Sequence, residues 1–310
     1  MKTYLFILIL AVSHHALAKV DLRQVDAFID QTAAELNLEP QWVRSIVSQA
    51  KHQQSIIDAM NRPAEKVLQW HDYRNIFLTD KRTLEGVDFW NKHEAVIDQV
   101  VEQSGVPAEV IVAIIGVETF YGRIKGNHKV LDALYTLAFD YPKRSKFFTK
   151  ELKNFIQLAH EQHINPLEAK GSYAGAMGYG QFMPSSYRAY AVDYEADQVI
   201  DLINNPQDAI ASVANYLNKH KWKSGGAVLR QVTKPSVEMK FNQLKPHQKD
   251  HKTQAEYTVL QLDMADGSQQ YWQGFHNFYV ISRYNHSHMY VMAVYQLAEA
   301  IKAARQEVSS

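Results

Sequence analysis

The 310-residue sequence contains no cysteine. This absence excludes disulfides, thiolate zinc sites, a cysteine nucleophile and any lipid attached through cysteine. The sequence also has no net charge, since 33 Lys and Arg residues balance 33 Asp and Glu residues. A neutral chain has no overall field that would attract nucleic acid or an anionic membrane. We therefore expect no nucleic-acid partner and no lipid anchor.

Long apolar runs are also scarce. One unbroken run covers residues 4–12, which is too short to span a bilayer, and no later stretch is longer. Lys2 precedes this run, and Ala16-Leu17-Ala18 follows it with the small-x-small pattern of a secretory cleavage site. A buried first helix is the alternative. The order of the three zones predicts a Sec-type signal peptide over residues 1–18 and a soluble protein in a bacterial periplasm.

The composition is that of an ordinary globular protein, with 46% apolar and 21% charged residues. It excludes a disordered or collagen-like chain. Aromatic residues are plentiful, at 17 Tyr, 13 Phe and 5 Trp. Such rings often line sites for neutral polymers such as sugars, although most of them fill the core.

Apolar residues recur with a period near 3.6 over residues 21–103, and again from Pro107 to about residue 220. This period predicts helices. We expect breaks between helices at Asn61–Pro63 and at Asp80–Arg82. A last helix is predicted from Met289 to about Arg305.

Residues 226–282 have a different character. Short β-prone runs, such as Glu256–Leu260 and Phe278–Ile281, alternate there with Gly, Asp and Pro. The predicted fold is therefore mainly α, in the α+β class, with a small antiparallel β part late in the chain.

The segment Pro107–Thr119 is apolar on nearly every side, which indicates a helix buried in the core, with Pro107 at its first position. Glu118 stands at the C-terminal end of that helix. Apolar surroundings and the negative end of the helix dipole both disfavour an ionised carboxylate. A carboxylic acid that keeps its proton near neutral pH suits general acid catalysis. The plainer alternative is an ion pair between Glu118 and Arg123 or Lys125.

Residues 171–180 contain four glycines. This density lets the backbone approach a ligand closely or adopt positive φ angles. No Lys-Ser or Lys-Thr pair follows, so the segment is not a phosphate-binding loop. Polar and aromatic side chains that suit sugar hydroxyl and acetamido groups are interleaved there: Ser172, Tyr179, Gln181, Phe182 and Met183. A plain tight connection between helices is the alternative.

Five segments share one family pattern: Gly116–Thr119, Leu131–Leu134, Gly175–Ser186, Ala211–Tyr216 and Arg283–Ser287. Together they resemble the lytic murein transglycosylase B family, and the likeness covers most of the chain after residue 18. The block Gly175–Ser186, which reads GAMGYGQFMPSS, is the most specific of them.

The resemblance implies a lysozyme-like helical core flanked by an α domain and a small antiparallel β domain. We expect four regions: a signal peptide at 1–18, an α domain at 19–105 that is completed by a C-terminal helix at 288–306, a catalytic core at 106–225, and a β domain at 226–282.

The same resemblance implies cleavage of the β-1,4 bond between N-acetylmuramic acid and N-acetylglucosamine in peptidoglycan glycan strands, with no required cofactor. The muramoyl 6-hydroxyl would replace water and leave a 1,6-anhydro ring. Glu118 matches the single catalytic acid and base, and the 2-acetamido group of the substrate would do the work of a second carboxylate. The side chains expected to bind substrate are Ser172, Gln181, Tyr179, Phe182, Tyr284, Asn285, Tyr290, Tyr73 and Arg144.

A second catalytic carboxylate, as in lysozyme, has two candidates. We interpret Asp132 as a first-turn helix residue and Asp140 as a loop acid, so neither is expected to be catalytic. The competing functions are a hydrolytic muramidase and a non-catalytic peptidoglycan-binding protein. Proteins of cell-wall synthesis or remodelling stay open as partners.

The family has an EF-hand-like loop, and residues 193–208 match it here. Asp193, Glu195 and Asp197 take its first, third and fifth positions, and Asp208 would close the set around a structural Ca²⁺ or Na⁺. However, Gln198 stands where the calcium loop needs glycine. The acidic ligand residues are present, but the turn that would bring them together is impaired because it lacks its glycine. The sequence therefore does not decide whether the loop binds a cation.

Overall fold

A computed structural model describes residues 20–62, 68–235, 239–250 and 253–308. The predicted signal peptide lies outside these ranges. Helices dominate the described residues, and two small antiparallel sheets complete the fold. The predicted mainly α class with a small β part is confirmed.

The N-terminal part consists of helices only: α1 Leu22–Leu36, α2 Pro40–Val47, α3 Gln54–Asn61, α4 Trp70–Phe77, α5 Asp80–Lys92 and α6 Glu94–Ser104. The break predicted at Asp80–Arg82 is wrong by two residues. The Thr79 side chain accepts the N–H of Arg82 and caps α5, so these residues form the first turn of that helix.

Helix α7, Ala108–Thr119, lies at the centre of the molecule, and ten of its twelve residues are buried. Pro107 is its N-cap, one residue before the predicted position. Among the described residues no single helix is long and apolar enough to cross a membrane, and the one consecutive pair with that length and composition, α6 and α7, is bent by 115°. The C-terminal helix α13, His288–Val308, packs against both α5 and α7. The end of the chain therefore covers the helix that carries Glu118.

Four more helices follow α7 along the chain: α8 Val130–Asp140, α9 Ser145–Glu161, α10 Pro184–Tyr190 and α11 Pro206–Lys219. Helices α8 and α9 pack as a pair, α10 packs on α9, and α11 packs on α6 and α7. The two-residue strands β1 (His128–Lys129) and β2 (Lys170–Gly171) pair antiparallel. This ribbon fastens the start of α8 to the start of the glycine-rich segment.

The second sheet has the strand order β3-β6-β5-β4. Its strands are β3 Leu229–Val232, β4 Gln248–Lys249, β5 Glu256–Asp263 and β6 Gln269–Gly274. In the register, Gly274 at the end of β6 lies opposite Leu229 of β3 and Thr258 of β5. One end of the sheet is thus formed where β3 and β5 begin and β6 ends.

The β prediction for Phe278–Ile281 is wrong, because this run lies in helix α12, His276–Ser282. Phe278, Val280 and Ile281 are fully buried, and α12 packs against α13 and β6. A four-residue apolar run is too short to show a period, so packing against its neighbours decides its conformation.

Candidate active site

Glu118 lies in the last turn of α7, where the chain reverses sharply. Phe120, Tyr121 and Gly122 follow with positive φ angles of 51°, 58° and 86°. The N–H of Phe120 donates to the carbonyl of Gly116 at 3.1 Å and closes the helix. Left-handed backbone is unfavourable for the two aromatic residues, so contacts elsewhere must hold the turn.

Two close approaches provide those contacts. The Tyr121 ring lies against Gly116, where a Cβ would come within 2.6 Å of its hydroxyl oxygen, and that hydroxyl donates to the carbonyl of Arg82 at 2.8 Å. Gly122 lies against the Tyr179 ring, which a Cβ would approach to 2.0 Å. Glycine at these positions lets the aromatic rings fix the turn after Glu118.

The Glu118 carboxyl group is partly buried and accepts a hydrogen bond from the Tyr290 hydroxyl, with 2.7 Å between Oη and Oε1. Burial raises the pKa of Glu118 to about 7 from an ordinary 4.5, although the Tyr290 hydrogen bond opposes the rise. Glu118 as a residue keeps some exposed surface. Near neutral pH the group can therefore both donate and accept a proton.

The ion-pair alternative for Glu118 is wrong. Arg123 binds the carboxylate of Glu85 instead, and the Lys125 ammonium donates to the carbonyl of Ile203 at 2.6 Å. In the described part of the chain no Lys, Arg or His side chain pairs with Glu118. The acid has no cation beside it to hold it ionised.

Phenol rings lie around this carboxyl group. Tyr290 is only 2% exposed, and the ring of Tyr284 lies nearly parallel to it, at 10° with 6.5 Å between centroids. Tyr73 of α4 is partly buried against Trp70 and Phe77. Burial and the charge of Glu118 raise the pKa of Tyr73 to about 12. Tyr73 thus stays a neutral phenol close to the acid.

Phe182 lies beneath this layer rather than on its surface. It is 2% exposed, and its ring centroid is 5.8 Å from that of Tyr284. The Tyr284 hydroxyl donates to the carbonyl of Gly180 at 2.6 Å. Phe182 therefore supports Tyr284 from within the core.

The glycine-rich segment is joined directly to the end of α7. Thr119 donates its hydroxyl to the carbonyl of Tyr179 at 2.8 Å, and Lys125 lies over the Tyr179 ring at 4.6 Å. Ser172 Oγ accepts the N–H groups of Ala174 and Ala176 at 3.3 and 3.0 Å. Because these bonds use only its lone pairs, the Ser172 hydroxyl proton remains to be donated.

Gln181 has a positive φ of 49°. Its amide nitrogen donates to the carbonyls of Lys125 and Gly178, at 3.1 and 3.0 Å. The side chain thus braces the segment, and its Oε1 is the atom left for a ligand.

Two predicted residues lie on the surface. Asn285 is exposed in the turn before α13, where its carbonyl accepts the N–H of Ser287 at 2.7 Å. Arg144 is exposed just before α9, with its guanidinium 4.3 Å from the centroid of Phe147. Neither forms a hydrogen bond with another predicted site residue in the part of the chain that the structure describes.

The two candidates for a second catalytic carboxylate both bind other residues of the protein. Asp132, in the first turn of α8, accepts the backbone N–H of Lys51 at 2.8 Å and the side-chain amide of Gln53 at 3.3 Å. Asp140 pairs with His52 at 2.7 Å. The prediction of Asp140 as a loop acid is wrong, because α8 extends to this residue.

In the EF-hand-like loop, acids bind the backbone. Asp193 accepts the N–H groups of Asp197 and Gln198 at 3.2 and 2.7 Å. Asp208 is fully buried and accepts those of Tyr194 and Asp201 at 2.9 and 2.7 Å. Burial, together with the nearby charges of Asp193 and Asp197, raises the pKa of Asp208.

Side-chain amides also bind the acids of this loop. Glu195 accepts the side-chain amides of Asn205 and Gln207, at 2.8 and 3.2 Å. Gln198 adopts the left-handed backbone that glycine normally supplies at its position, with a φ of 73°, so the predicted impairment of this turn is wrong. Within residues 20–62, 68–235, 239–250 and 253–308, no group of three or more His, Asp or Glu side chains is placed to hold a metal ion.

Sequence reasoning missed Glu151 as a positioning residue. Glu151 is 2% exposed and accepts both the N–H and the hydroxyl of Ser185, at 2.9 and 2.7 Å, where the glycine-rich block passes into α10. The signal was present, because Glu151 lies on the same face of α9 as Phe148 and Phe155.

Comparison with known proteins gives consistent matches. A profile of the family described as "Transglycosylase SLT domain" matches residues 21–299. Membrane-bound lytic murein transglycosylase B of Escherichia coli K12 is 42% identical over 300 residues, covering 90% of this chain and 82% of that protein.

Solved structures agree with these sequence matches. The soluble lytic transglycosylase SltB1 of Pseudomonas aeruginosa superposes with a TM-score of 0.86 at 44% identity, covering 91% of this chain and 99% of that chain. The Escherichia coli lytic transglycosylase Slt35, solved in complex with calcium, has a TM-score of 0.82 at 41% identity, with 90% and 92% covered.

Proposed function

The chain belongs to the transglycosylase SLT domain family and is a lytic transglycosylase that acts on peptidoglycan, and we propose that Glu118 is its single catalytic acid and base. The bond cleaved is the β-1,4 linkage between N-acetylmuramic acid and N-acetylglucosamine, and the product ends in a 1,6-anhydro ring. The observation that carries this proposal is a partly buried carboxyl group with a pKa of about 7 and no paired cation among the described residues.

The reaction needs two proton transfers at one carboxyl group. Glu118 first donates its proton to the glycosidic oxygen as the bond from that oxygen to the anomeric carbon breaks. Its carboxylate then takes the proton of the muramoyl 6-hydroxyl as the 6-oxygen bonds to the anomeric carbon. Glu118 ends protonated, as it began. A pKa near the working pH serves both steps.

No second carboxylate is required. Asp132 and Asp140 are held by partners on the α2–α3 connection. We propose that the 2-acetamido oxygen of the substrate stabilises the positive charge at the anomeric carbon, as in other substrate-assisted glycosidases. Ser172 has a hydroxyl proton to donate, and we assign it to orienting this acetamido group.

Tyr290 determines which oxygen of Glu118 reacts. Because Oε1 accepts the Tyr290 hydroxyl, the acid proton is carried by Oε2. Oε2 is then the atom that meets the glycosidic oxygen and later the 6-hydroxyl.

The surrounding rings serve to keep water out. Ring closure competes with hydrolysis at the anomeric carbon, so the site must exclude a competing water molecule. Tyr73, Tyr284 and Tyr290 are neutral phenols. We propose that the partly buried Tyr73 and Tyr284 cover the reacting face of the sugar, and that Tyr290, only 2% exposed, acts through its hydrogen bond to Glu118. The layer of tyrosine rings is supported from within the core by Tyr179, Phe182 and Gln181. On the surface, Asn285 and Arg144 contact the substrate.

We also propose that residues 1–18 direct the chain to the periplasm, that the mature chain is free of a lipid anchor, and that the domain boundaries are those given from the sequence. The loop at 193–208 is proposed to close without a cation, because its carboxylates accept backbone and side-chain N–H groups instead.

Product analysis on purified sacculi tests the proposal. We expect mass spectrometry to find muropeptides with anhydro ends, lighter by one water than hydrolysed ends. Reducing ends instead would identify a hydrolytic muramidase. A zymogram with Glu118→Gln should show no lysis, and wild-type lysis by that variant would refute the assignment of the acid.

A further inference from the structure

A cavity of about 790 Å³ lies at the end of the sheet where β3 and β5 begin, beside the first residues of α12. Four basic side chains line it, and we call it the cationic pocket: Lys223, Arg230, Lys245 and Lys249. Glu256 is the one acidic residue among the lining residues that the structure describes. Four cations around one concave surface create a strong local positive potential in a chain of zero net charge.

These cations have few acidic neighbours among the residues that the structure describes. Among the described residues, none of the four forms an ion pair with an aspartate or glutamate. Repulsion among these like charges costs free energy, and a bound anionic ligand would relieve that repulsion.

One wall of the pocket is held rigid by a buried amide. Asn277 is 1% exposed, and its Oδ1 accepts the N–H of Lys223 at 2.9 Å. Its Nδ2 donates to the carbonyls of Lys223 and Gly226, both at 2.8 Å. His276 also binds the carbonyl of Lys221 at 2.7 Å. The backbone beneath Lys223 is therefore fixed before any ligand arrives, which lowers the entropic cost of binding.

Arg230 is also held in place. Its guanidinium lies 5.3 Å from the centroid of Phe275, and Gln273 accepts from its Nε and Nη2 at 3.2 and 2.6 Å. These contacts orient the group and leave its Nη1 hydrogens for a ligand, since a guanidinium has five N–H donors. An oriented guanidinium is well suited to binding a carboxylate.

The rest of the lining suits a peptide rather than a small inorganic anion. Phe275, Tyr279, Pro246 and Ala255 contribute apolar surface, and the volume accommodates several residues of chain. The carboxylate of Glu256, which also lines the pocket, suits an amino group. The matching ligand is a short peptide with several carboxylates, at least one amine and aliphatic side chains.

We propose that the cationic pocket binds the peptide stems of peptidoglycan through their carboxylates, as a second, non-catalytic attachment point of the enzyme on its substrate. This inference rests on the proposed function, because that function supplies a polymer in which each glycan strand carries many acidic, diamino-acid-containing stems. No lining residue of the pocket belongs to the Glu118 site. Holding one stem raises the effective concentration of neighbouring glycosidic bonds at Glu118.

The test uses the mature chain with Glu118→Gln, which keeps sacculi intact during binding. The pocket variant is Lys245→Glu/Lys249→Glu. The control variant is Lys234→Glu/Lys240→Glu, which makes the same charge change at exposed lysines of the same region that do not line the pocket. Binding is measured to intact sacculi, to glycan strands stripped of stems by an amidase, and by calorimetry to purified stem tetrapeptide.

We expect the pocket variant to bind intact sacculi and tetrapeptide about ten-fold more weakly than the control, with equal binding to stripped strands. Tetrapeptide with amidated carboxyl groups should fail to bind the unmodified pocket. Equal binding of all three probes by the two variants would overturn the proposal. So would vesicles of anionic phospholipid that displace the tetrapeptide from the pocket, since they would assign it to a membrane.

The proposed function can fail separately. With Glu118 intact, the pocket variant should cleave stripped strands at the wild-type rate and intact sacculi with a raised KM. Loss of cleavage on stripped strands would mean that the variant damages the catalytic site, which refutes a purely non-catalytic role. If the wild-type chain cleaved neither substrate while tetrapeptide binding persisted, the proposed catalysis would be wrong and the pocket would stand.

Discussion

Two regions of this protein carry carboxyl groups in different states. At the end of α7, Glu118 accepts one hydroxyl and, from the described residues, no backbone N–H, and burial raises its pKa to about 7. In the loop at 193–208, Asp193 and Asp208 each accept two backbone N–H groups. The first arrangement leaves a proton to exchange, and the second uses the carboxylate as a structural acceptor.

The difference shows that burial alone does not leave a carboxyl group free to exchange a proton. Asp208 is more deeply buried than Glu118, yet its two oxygens are bound to the backbone. What distinguishes Glu118 is the lack of N–H donors, which would stabilise its ionised form.

Replacing Glu118 by Gln should abolish the proton transfer and keep the fold. We expect cleavage of sacculi to fall by about a thousand-fold, within the range for loss of a general acid. Release of soluble muropeptides measures the rate, and circular dichroism checks the fold. Glu109→Gln is the matched control, since Glu109 lies in the first turn of the same helix and pairs with Lys302. Comparable losses in the two variants would contradict the assignment.

The stability of the protein should depend on Glu118 ionisation. Its pKa is higher in the folded state, about 7, than the ordinary 4.5 of the unfolded chain, so the folded state holds the proton more tightly. Stability from this group is present below pH 4.5 and is lost as pH rises through 7. Between these pH values the wild type should lose about 3 kcal/mol relative to Glu118→Gln. Urea unfolding of both proteins at several pH values measures it, and parallel curves would disprove the raised pKa.

In the loop at 193–208, Asp208→Asn should lower the stability of the protein and leave its catalytic activity unchanged. An amide cannot accept at both ends, so one of the N–H groups of Tyr194 and Asp201 loses its partner. We expect the free energy of unfolding to fall by about 1–3 kcal/mol. Cleavage per folded molecule should be unchanged. A loss of cleavage without a loss of stability would link the loop to the chemistry.

Tyr290→Phe should make Glu118 a still weaker acid. The hydroxyl lowers the pKa of Glu118, so its removal should move the alkaline limb of the kcat/KM profile to higher pH. The profile measured from pH 5 to 9 tests this, with Tyr295→Phe on the same helix as control. A limb that moves to lower pH would show that the hydroxyl does not stabilise the ionised form.

Calcium should have the smallest effect. With the carboxylates of the 193–208 loop already accepting N–H groups, millimolar Ca²⁺ and a chelator should give the same Tm within about 1 °C, on a scale where 1 kcal/mol shifts Tm by several degrees. Calorimetry in the two solutions measures it. A rise of several degrees with Ca²⁺ would show that the loop rearranges into a cation site.

The sequence predicted most of the fold where long periodic patterns occur. The apolar segment before Glu118 produced α7, because a helix apolar on all sides must be buried. The short run Phe278–Ile281 was misjudged as β, since four residues carry no period and contact with α13 and β6 determined its conformation.

Contacts between residues far apart in the chain could not be predicted from the sequence. Nothing near Glu118 indicates that Arg123 would pair with Glu85, or that the Glu118 partner would be Tyr290. Cation binding by the loop at 193–208 could not be decided for the same reason. The sequence shows which acidic residues are present and not the direction in which their side chains point. Glu151 shows the reverse case, a polar residue on an apolar face whose role the helical period already indicated.

The hydrogen bond from Tyr290 to Glu118 joins α13 to the proposed catalytic acid. A chain that lacks α13 would hold this acid without the phenol that orients it and without the helix that packs on α7. The environment of Glu118 is thus complete only when two segments 172 residues apart in the sequence have packed together.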